Sequence, residues 1–117
     1  MIKLTISWKP LSVNMTYRKT NYSYYMTKVG KEYKEECKRQ ASMQYKKLPL
    51  SGSLEVCYRY YFWDNRVHDH LNYNKCLNDA LTGIIWIDDK QIKTSHHYTL
   101  LDKDNPRVEM DIKKINA

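Results

Sequence analysis

Residues 64–91 read DNRVHDHLNYNKCLNDALTGIIWIDDKQ, and their pattern decides how the rest of the chain is read. From about Asn72 to Thr82, Tyr73, Cys76, Leu77, Ala80, Leu81 and Ile84 recur at the spacing of a single buried helical stripe. Gly83 then stands where a helix ends in left-handed backbone. Asn72, Lys75, Asp79 and Thr82 fall on a different face of the same helix. Asp69 precedes it at the end of a β-rich run, and the paired acid Asp88-Asp89 closes the stretch. Acids held apart by one helix, with a lysine between them, suit metal-dependent phosphodiester chemistry. Mg²⁺ takes a few carboxylate oxygens and keeps water or phosphate in its other positions. The same residue types also suit plain structure, with Asp and Asn at a helix N-terminus and Asp-Asp in a turn. Residue types alone leave both readings open.

Upstream, Leu54, Val56, Tyr58, Tyr60 and Phe62 alternate with Glu55, Cys57, Arg59, Tyr61 and Trp63. The spacing predicts the longest strand of the chain, central in its sheet or placed at a subunit contact because large residues occupy both faces. Before it, Val29, Tyr33, Cys37 and Ala41 recur every four residues after Thr27, a suitable N-cap, and predict a helix to about Lys46. Pro49 and Gly52 break the chain after that. At the start, Ile2, Leu4, Ile6 and Trp8 alternate with polar residues as a half-buried strand stopped by Pro10. Residues 10–27 show no clean period and read as a long polar loop holding Arg18 and Lys19. Such a loop fits against a nucleic-acid backbone, or is simply polar surface. Downstream, Ile92, Thr94, His96, Tyr98 and Leu100 predict a strand, residues 102–106 a turn, and Val108, Met110 and Ile112 a last strand. The order β-α-β-α-β-β defines one α+β domain over residues 1–117, with a mixed sheet and two helices.

Charge divides the chain. Residues 1–48 carry 11 Lys or Arg against 3 Asp or Glu, and residues 49–117 carry 9 against 10. The first half is therefore suited to a polyanion, although a solvated lysine-rich helix face accounts for much of the excess. Cys37, Cys57 and Cys76 are odd in number and lack a C-x-x-C pair, which argues against a disulfide framework or a zinc knuckle. They read as reduced, half-buried thiols of a cytoplasmic protein. No apolar run approaches a membrane span, and MIKLTISW has no signal-peptide core. His96 and His97 lie on opposite faces of a strand, so one of them faces inward and both read as structural.

The chain resembles the RusA-type Holliday-junction resolvases. Their pattern D-x-D-N-x-x-K-x-x-x-D-A-L, followed by D-D-x-Q, is met by Asp69, Asn72, Lys75, Asp79-Ala80-Leu81, Asp88-Asp89 and Gln91. Trp8, Pro10, Ser12 and Asn14, with Arg18 beyond, match the family's W-x-P-x-S-x-N opening. One position departs: Leu71 stands where the family places its second acid. On a persisting strand, residues 69 and 71 would share a face, so a metal ligand is lost there. His68, His70 and Asp88 are the nearest substitutes, His70 the least suited because it would point away from Asp69.

The resemblance implies a homodimer that nicks four-way DNA junctions in pairs. Asp69 and Asp89 would hold Mg²⁺ or Mn²⁺, with Asp88 assisting, and Lys75 would contact the phosphate. Asn72 would cap or brace the second helix, and Asp79 would hold Lys75 or stand as a solvent-facing helix acid. Asn14, Arg18, Lys19 and Lys75 would contact the DNA, giving affinity with little base preference. The tyrosine-rich pattern of strand 54–63 makes it the candidate for part of that dimer contact. A bacterial or phage-infected cytoplasm follows from the resemblance. Two alternatives stand beside it: a binder of branched DNA that has lost its nuclease through Leu71, and a basic module for RNA or protein.

Overall fold

The computed structural model describes residues 1–7, 10, 12, 15, 17–19, 24–66, 68 and 70–116, with the backbone alone at 17–19, 24, 70 and 71. Strand β1 (Ile2–Ile6) is followed by the short strands β2 (Tyr17–Lys19) and β3 (Tyr24–Met26), then helix α1 (Lys28–Gln44) and strand β4 (Leu54–Phe62). Helix α2 (His70–Leu81), a single 3-10 turn (Asp89–Gln91), β5 (Ile92–Leu101) and β6 (Arg107–Lys114) complete the chain. The expected α+β domain with a mixed sheet and two helices is what forms. The sheet order is β1-β6-β4-β5, with β4 parallel to β5 and the other pairs antiparallel.

Three differences from the sequence reading have physical causes. The expected loop 10–27 contains an antiparallel β2-β3 pair. Strands of three residues are too short to show alternation. Strand β4 is central, as expected, but β5 exceeds it with ten residues against nine. Most of β5 is exposed, so burial alternation does not mark its length. Third, Val29 is 49 % exposed, and Gly30 takes the inward place beside Tyr33, Cys37 and Ala41.

Helix α1 starts where Thr27 adopts extended backbone and its hydroxyl oxygen accepts from the Gly30 amide at 3.0 Å. Helix α2 stops at Gly83, whose φ of +91° favours glycine. The buried stripe of α2 (Cys76, Leu77, Ala80, Leu81) and that of α1 pack on one sheet face, over Leu4, Ile6 and the even-numbered residues of β4. Trp86 and Ile85 close the core beneath the α2 exit. Because β4 and β5 are parallel neighbours, the chain must cross over between them, and α2 is that crossover. The connection delivers Asp88 and Asp89 to the start of β5.

The other sheet face carries charge rather than a second layer. Arg59 pairs with Asp111 at 2.9 Å, and Arg107 holds Asp102 at 2.7 Å and Glu109 at 2.9 Å while lying 3.8 Å over the Tyr61 ring. His96 binds Glu55 on this face at 3.0 Å, and His97 faces the other way, stacked on Tyr58 at 4.8 Å. The three cysteines are free thiols, Cys37 and Cys76 fully buried and Cys57 half-buried. Among the described residues, no helix is long and apolar enough to cross a membrane.

Candidate active site

The polar face of α2 is held in place from below. Tyr58 donates its hydroxyl to Asn78 Oδ1 at 2.7 Å, and Tyr60 donates to Asn74 Oδ1. Two tyrosines on one face of β4 thus meet two asparagines one helical turn apart. Burial pushes both tyrosine hydroxyls above their ordinary range, so they remain neutral donors. One turn of helix also separates Lys75 from Asp79, and the lysine Nζ lies 3.2 Å from Asp79 Oδ2. The expected support of Lys75 by Asp79 is therefore present.

The acids before β5 have unequal environments. Asp88 caps the 3-10 turn: its Oδ1 accepts from the Lys90 amide at 2.9 Å, which holds its carboxyl below the usual range. Asp89 moves the other way. Partial desolvation raises its carboxyl, the hydrogen bond and charge of Asp88 add to this, Asp79 adds more, and Lys75 opposes it. Asp89 is thus within electrostatic reach of both Lys75 and Asp79. Lys75 and Asp79 on α2 and Asp89 on the turn, separated in sequence by the whole helix exit, thus share one electrostatic neighbourhood.

Gln91 fixes that turn. Its Oε1 accepts from the Ile87 and Asp88 amides at 2.9 and 2.8 Å, and its Nε2 donates to the Leu50 and Gly52 carbonyls, both at 2.9 Å. The side chain therefore ties the aspartate pair to the chain segment that enters β4. No role for Gln91, Tyr58, Tyr60, Asn74 or Asn78 is evident from the sequence pattern alone. The signal present is the i, i+4 pair of asparagines facing an i, i+2 pair of tyrosines.

Several expected residues stand differently. Asp69 and Asn14 lie outside the described residues. Arg18 and Lys19 sit on β2, and only their backbone is described. Leu71 lies in the first turn of α2, not on a strand end, so the expectation that residues 69 and 71 share a strand face fails, and the reason given for discounting His70 fails with it. Helix α2 begins two residues before Asn72, which is an exposed first-turn residue and not the cap. Of the substitute ligands, His68 is engaged: Nδ1 meets Tyr73 Oη at 2.9 Å, Nε2 meets Asp64 Oδ1 at 2.8 Å, and the ring stacks on Phe62 at 4.0 Å. Among the described residues, no three His, Cys, Asp or Glu side chains are grouped to hold a metal.

The structure is a single α+β domain in which α2 crosses from β4 to β5 and the turn after it carries the aspartate pair. A family model described as Endodeoxyribonuclease RusA matches residues 8–113, nearly the whole chain. The chain belongs to this family, which implies an endodeoxyribonuclease that resolves Holliday junctions. No curated protein matches the chain.

Proposed function

We propose that this protein is a metal-dependent endodeoxyribonuclease that cuts four-way DNA junctions by paired nicks as a homodimer. The observation that carries the reading is the Lys75–Asp79 ion pair on α2 lying within electrostatic reach of Asp89, in a chain of this family. Asp89 and Asp69 would hold Mg²⁺ or Mn²⁺, with Asp88 assisting. The donor chemistry fits a hard divalent cation: partial desolvation, with Asp88 and Asp79 nearby, raises the Asp89 carboxyl, and a cation would offset that penalty. When bound, such a metal lowers the pKa of a water and neutralises charge on the phosphoryl oxygens. Lys75, steadied by Asp79, places its ammonium against the scissile phosphate and stabilises the charge that develops there. Asp88 and Gln91 keep the turn in position, and the Tyr58-Asn78 and Tyr60-Asn74 bonds keep the helix in position. Asn14, Arg18 and Lys19 contact the DNA backbone on the approach to the site.

A two-fold dimer supplies two sites for two strands. Both edges of β4 are hydrogen-bonded within the sheet, so a partner can touch only its outer face. One edge strand of the sheet is β5, where Tyr98, Leu100 and Leu101 are 52, 39 and 53 % exposed. Antiparallel pairing of β5 with its symmetry copy would continue the sheet across the dimer. Asp89 immediately precedes β5, so the two sites would stand at opposite ends of the paired strands, roughly 30 Å apart at about 3.3 Å per residue. The working compartment is the cytoplasm of a bacterium or a phage-infected host.

Leu71 favours a second reading, a binder of branched DNA on the same fold that has lost cleavage. The deciding experiment is cleavage of a labelled four-way junction with Mg²⁺ or Mn²⁺ by this protein, Leu71→Asp and Asp69→Asn. Cleavage by the protein and not by Asp69→Asn supports the nuclease. Cleavage by Leu71→Asp alone supports a disarmed resolvase. Junction binding with no cleavage by any of the three supports the binder.

A further inference from the structure

Away from the aspartate turn, three adjoining cavities form one groove along the free edge of β1 and the C-terminal end of α1. The largest has a volume of about 470 Å³ and is lined by Ile2, Lys3, Met43, Lys46, Lys47 and Leu50, among others. It shares Met43 and Gln44 with a neighbour that reaches Arg39. It shares Ile2 and Leu50 with a third, which adds Ile112, Lys113 and Lys114. Among the described residues, no acidic side chain lines any of the three. Lys46, Lys47 and Lys114 make no ion pair among the described residues. The floor is apolar, and Met43 on its wall is 61 % exposed.

The backbone of β1 adds a third property. Its outer edge is sealed in part by α1: the Thr5 amide donates to Gln44 Oε1 at 2.9 Å, the Thr5 carbonyl accepts from Gln44 Nε2 at 2.6 Å, and the Ser7 amide donates to Gln40 Oε1 at 2.7 Å. In an antiparallel strand alternate residues turn their amide and carbonyl to the same side. Lys3, two residues before Thr5, therefore presents both groups to this edge at the mouth of the groove.

We propose that this groove docks an extended acidic segment of a protein partner, with apolar side chains alternating with carboxylates. An extended segment sends successive side chains to opposite faces. Its backbone meets the Lys3 amide and carbonyl, as in the addition of a strand to a sheet edge. Its apolar side chains fill the space over Ile2, Met43 and Leu50, and its carboxylates meet Lys46, Lys47 and Lys114. A DNA backbone would use the ammonium groups but leave the apolar floor wet and the strand edge unbonded. A peptide satisfies all three.

The test uses the full chain and a short fluorescein-labelled peptide that alternates aspartate and leucine, followed by fluorescence anisotropy. The expected result is saturable binding weakened about tenfold or more by Lys46→Glu combined with Lys47→Glu, and similarly by Met43→Asp. An all-aspartate peptide and a lysine-leucine peptide should bind at least about tenfold more weakly. Circular dichroism checks that both variants fold, and four-way-junction binding should be the same in all three proteins. Absence of saturable binding up to about 1 mM peptide overturns the proposal. So does equal binding by the variants, or equal binding of the all-aspartate peptide. Loss of junction binding in the Lys46→Glu, Lys47→Glu protein also overturns it, assigning the groove to DNA, and leaves the nuclease reading intact.

Discussion

Asp89 carries opposite demands at one carboxyl. Its folded pKa is raised, so its ionised form is disfavoured by partial burial and by Asp88 and Asp79. A raised folded pKa gives stability that is full below the unfolded value, near pH 4, and lost as pH rises through the folded value. At neutral pH and without metal, Asp89 therefore costs stability. Asp89→Asn should raise the melting temperature at pH 7, with a gain that shrinks towards pH 4, while abolishing stabilisation by added Mg²⁺ or Mn²⁺. A lower melting temperature at pH 7 would contradict this. Lys75 is the complementary case: Lys75→Ala should slow junction cleavage by about a hundredfold or more with little change in junction affinity, and cleavage assays against binding titrations check it. Tyr58→Phe tests the support beneath the helix. It leaves Asn78 Oδ1, in a part-buried bond, without its donor and should cost about 1–3 kcal/mol in urea unfolding.

Between elements, the junction that matters is the turn from α2 into β5. Ile85 and Trp86 anchor its first half in the core, and Gln91 supplies four hydrogen bonds to its second half from one side chain. Gln91→Ala should lower stability by about 2–3 kcal/mol and slow cleavage more than it weakens junction binding, because the aspartates lose their fixed position. Gln91→Glu keeps acceptors for the Ile87 and Asp88 amides but turns a donor into an anion against the Leu50 and Gly52 carbonyls. It should therefore not restore the turn. Unchanged cleavage in both variants would show that Asp88 capping alone positions the pair. The sequence marked Gln91 as part of a motif without giving its task, since its partners at Leu50 and Gly52 lie some forty residues earlier in the chain.

For the whole molecule, acid stability follows from the charged sheet face and its rim. Hydrogen bonds from Arg59, Arg107 and His96 lower the carboxyls of Asp111, Asp102, Glu109 and Glu55, and His68 lowers Asp64. A depressed carboxyl gives stability that is complete above its unfolded pKa and lost as pH falls through the folded one. Unfolding should therefore set in below about pH 4, and Arg59→Met should flatten the acid limb of the stability curve, read by circular dichroism across pH. The charged face also explains why one helical layer suffices: the sheet meets water through ion pairs on one side and buries its even-numbered β4 residues on the other. If β5 is the dimer seam, Leu100→Lys should yield a monomer in gel filtration that still binds a junction but no longer nicks it in pairs.

Alternation in β1, β4 and β6, the four-residue repeat of α1 and the stripe of α2 were all legible, because each element buries one face and local period records it. The acids and the lysine of the site were legible as residue types at a recognisable spacing. What tertiary structure decided was which of them meet. Asp89 comes within reach of Lys75 and Asp79 only because β4 and β5 are parallel neighbours, which forces α2 to cross between them and return the chain to the start of β5. Strand order and parallel pairing leave no local period in a sequence. They are set by how the helices cover the sheet, and the site is a consequence of that choice.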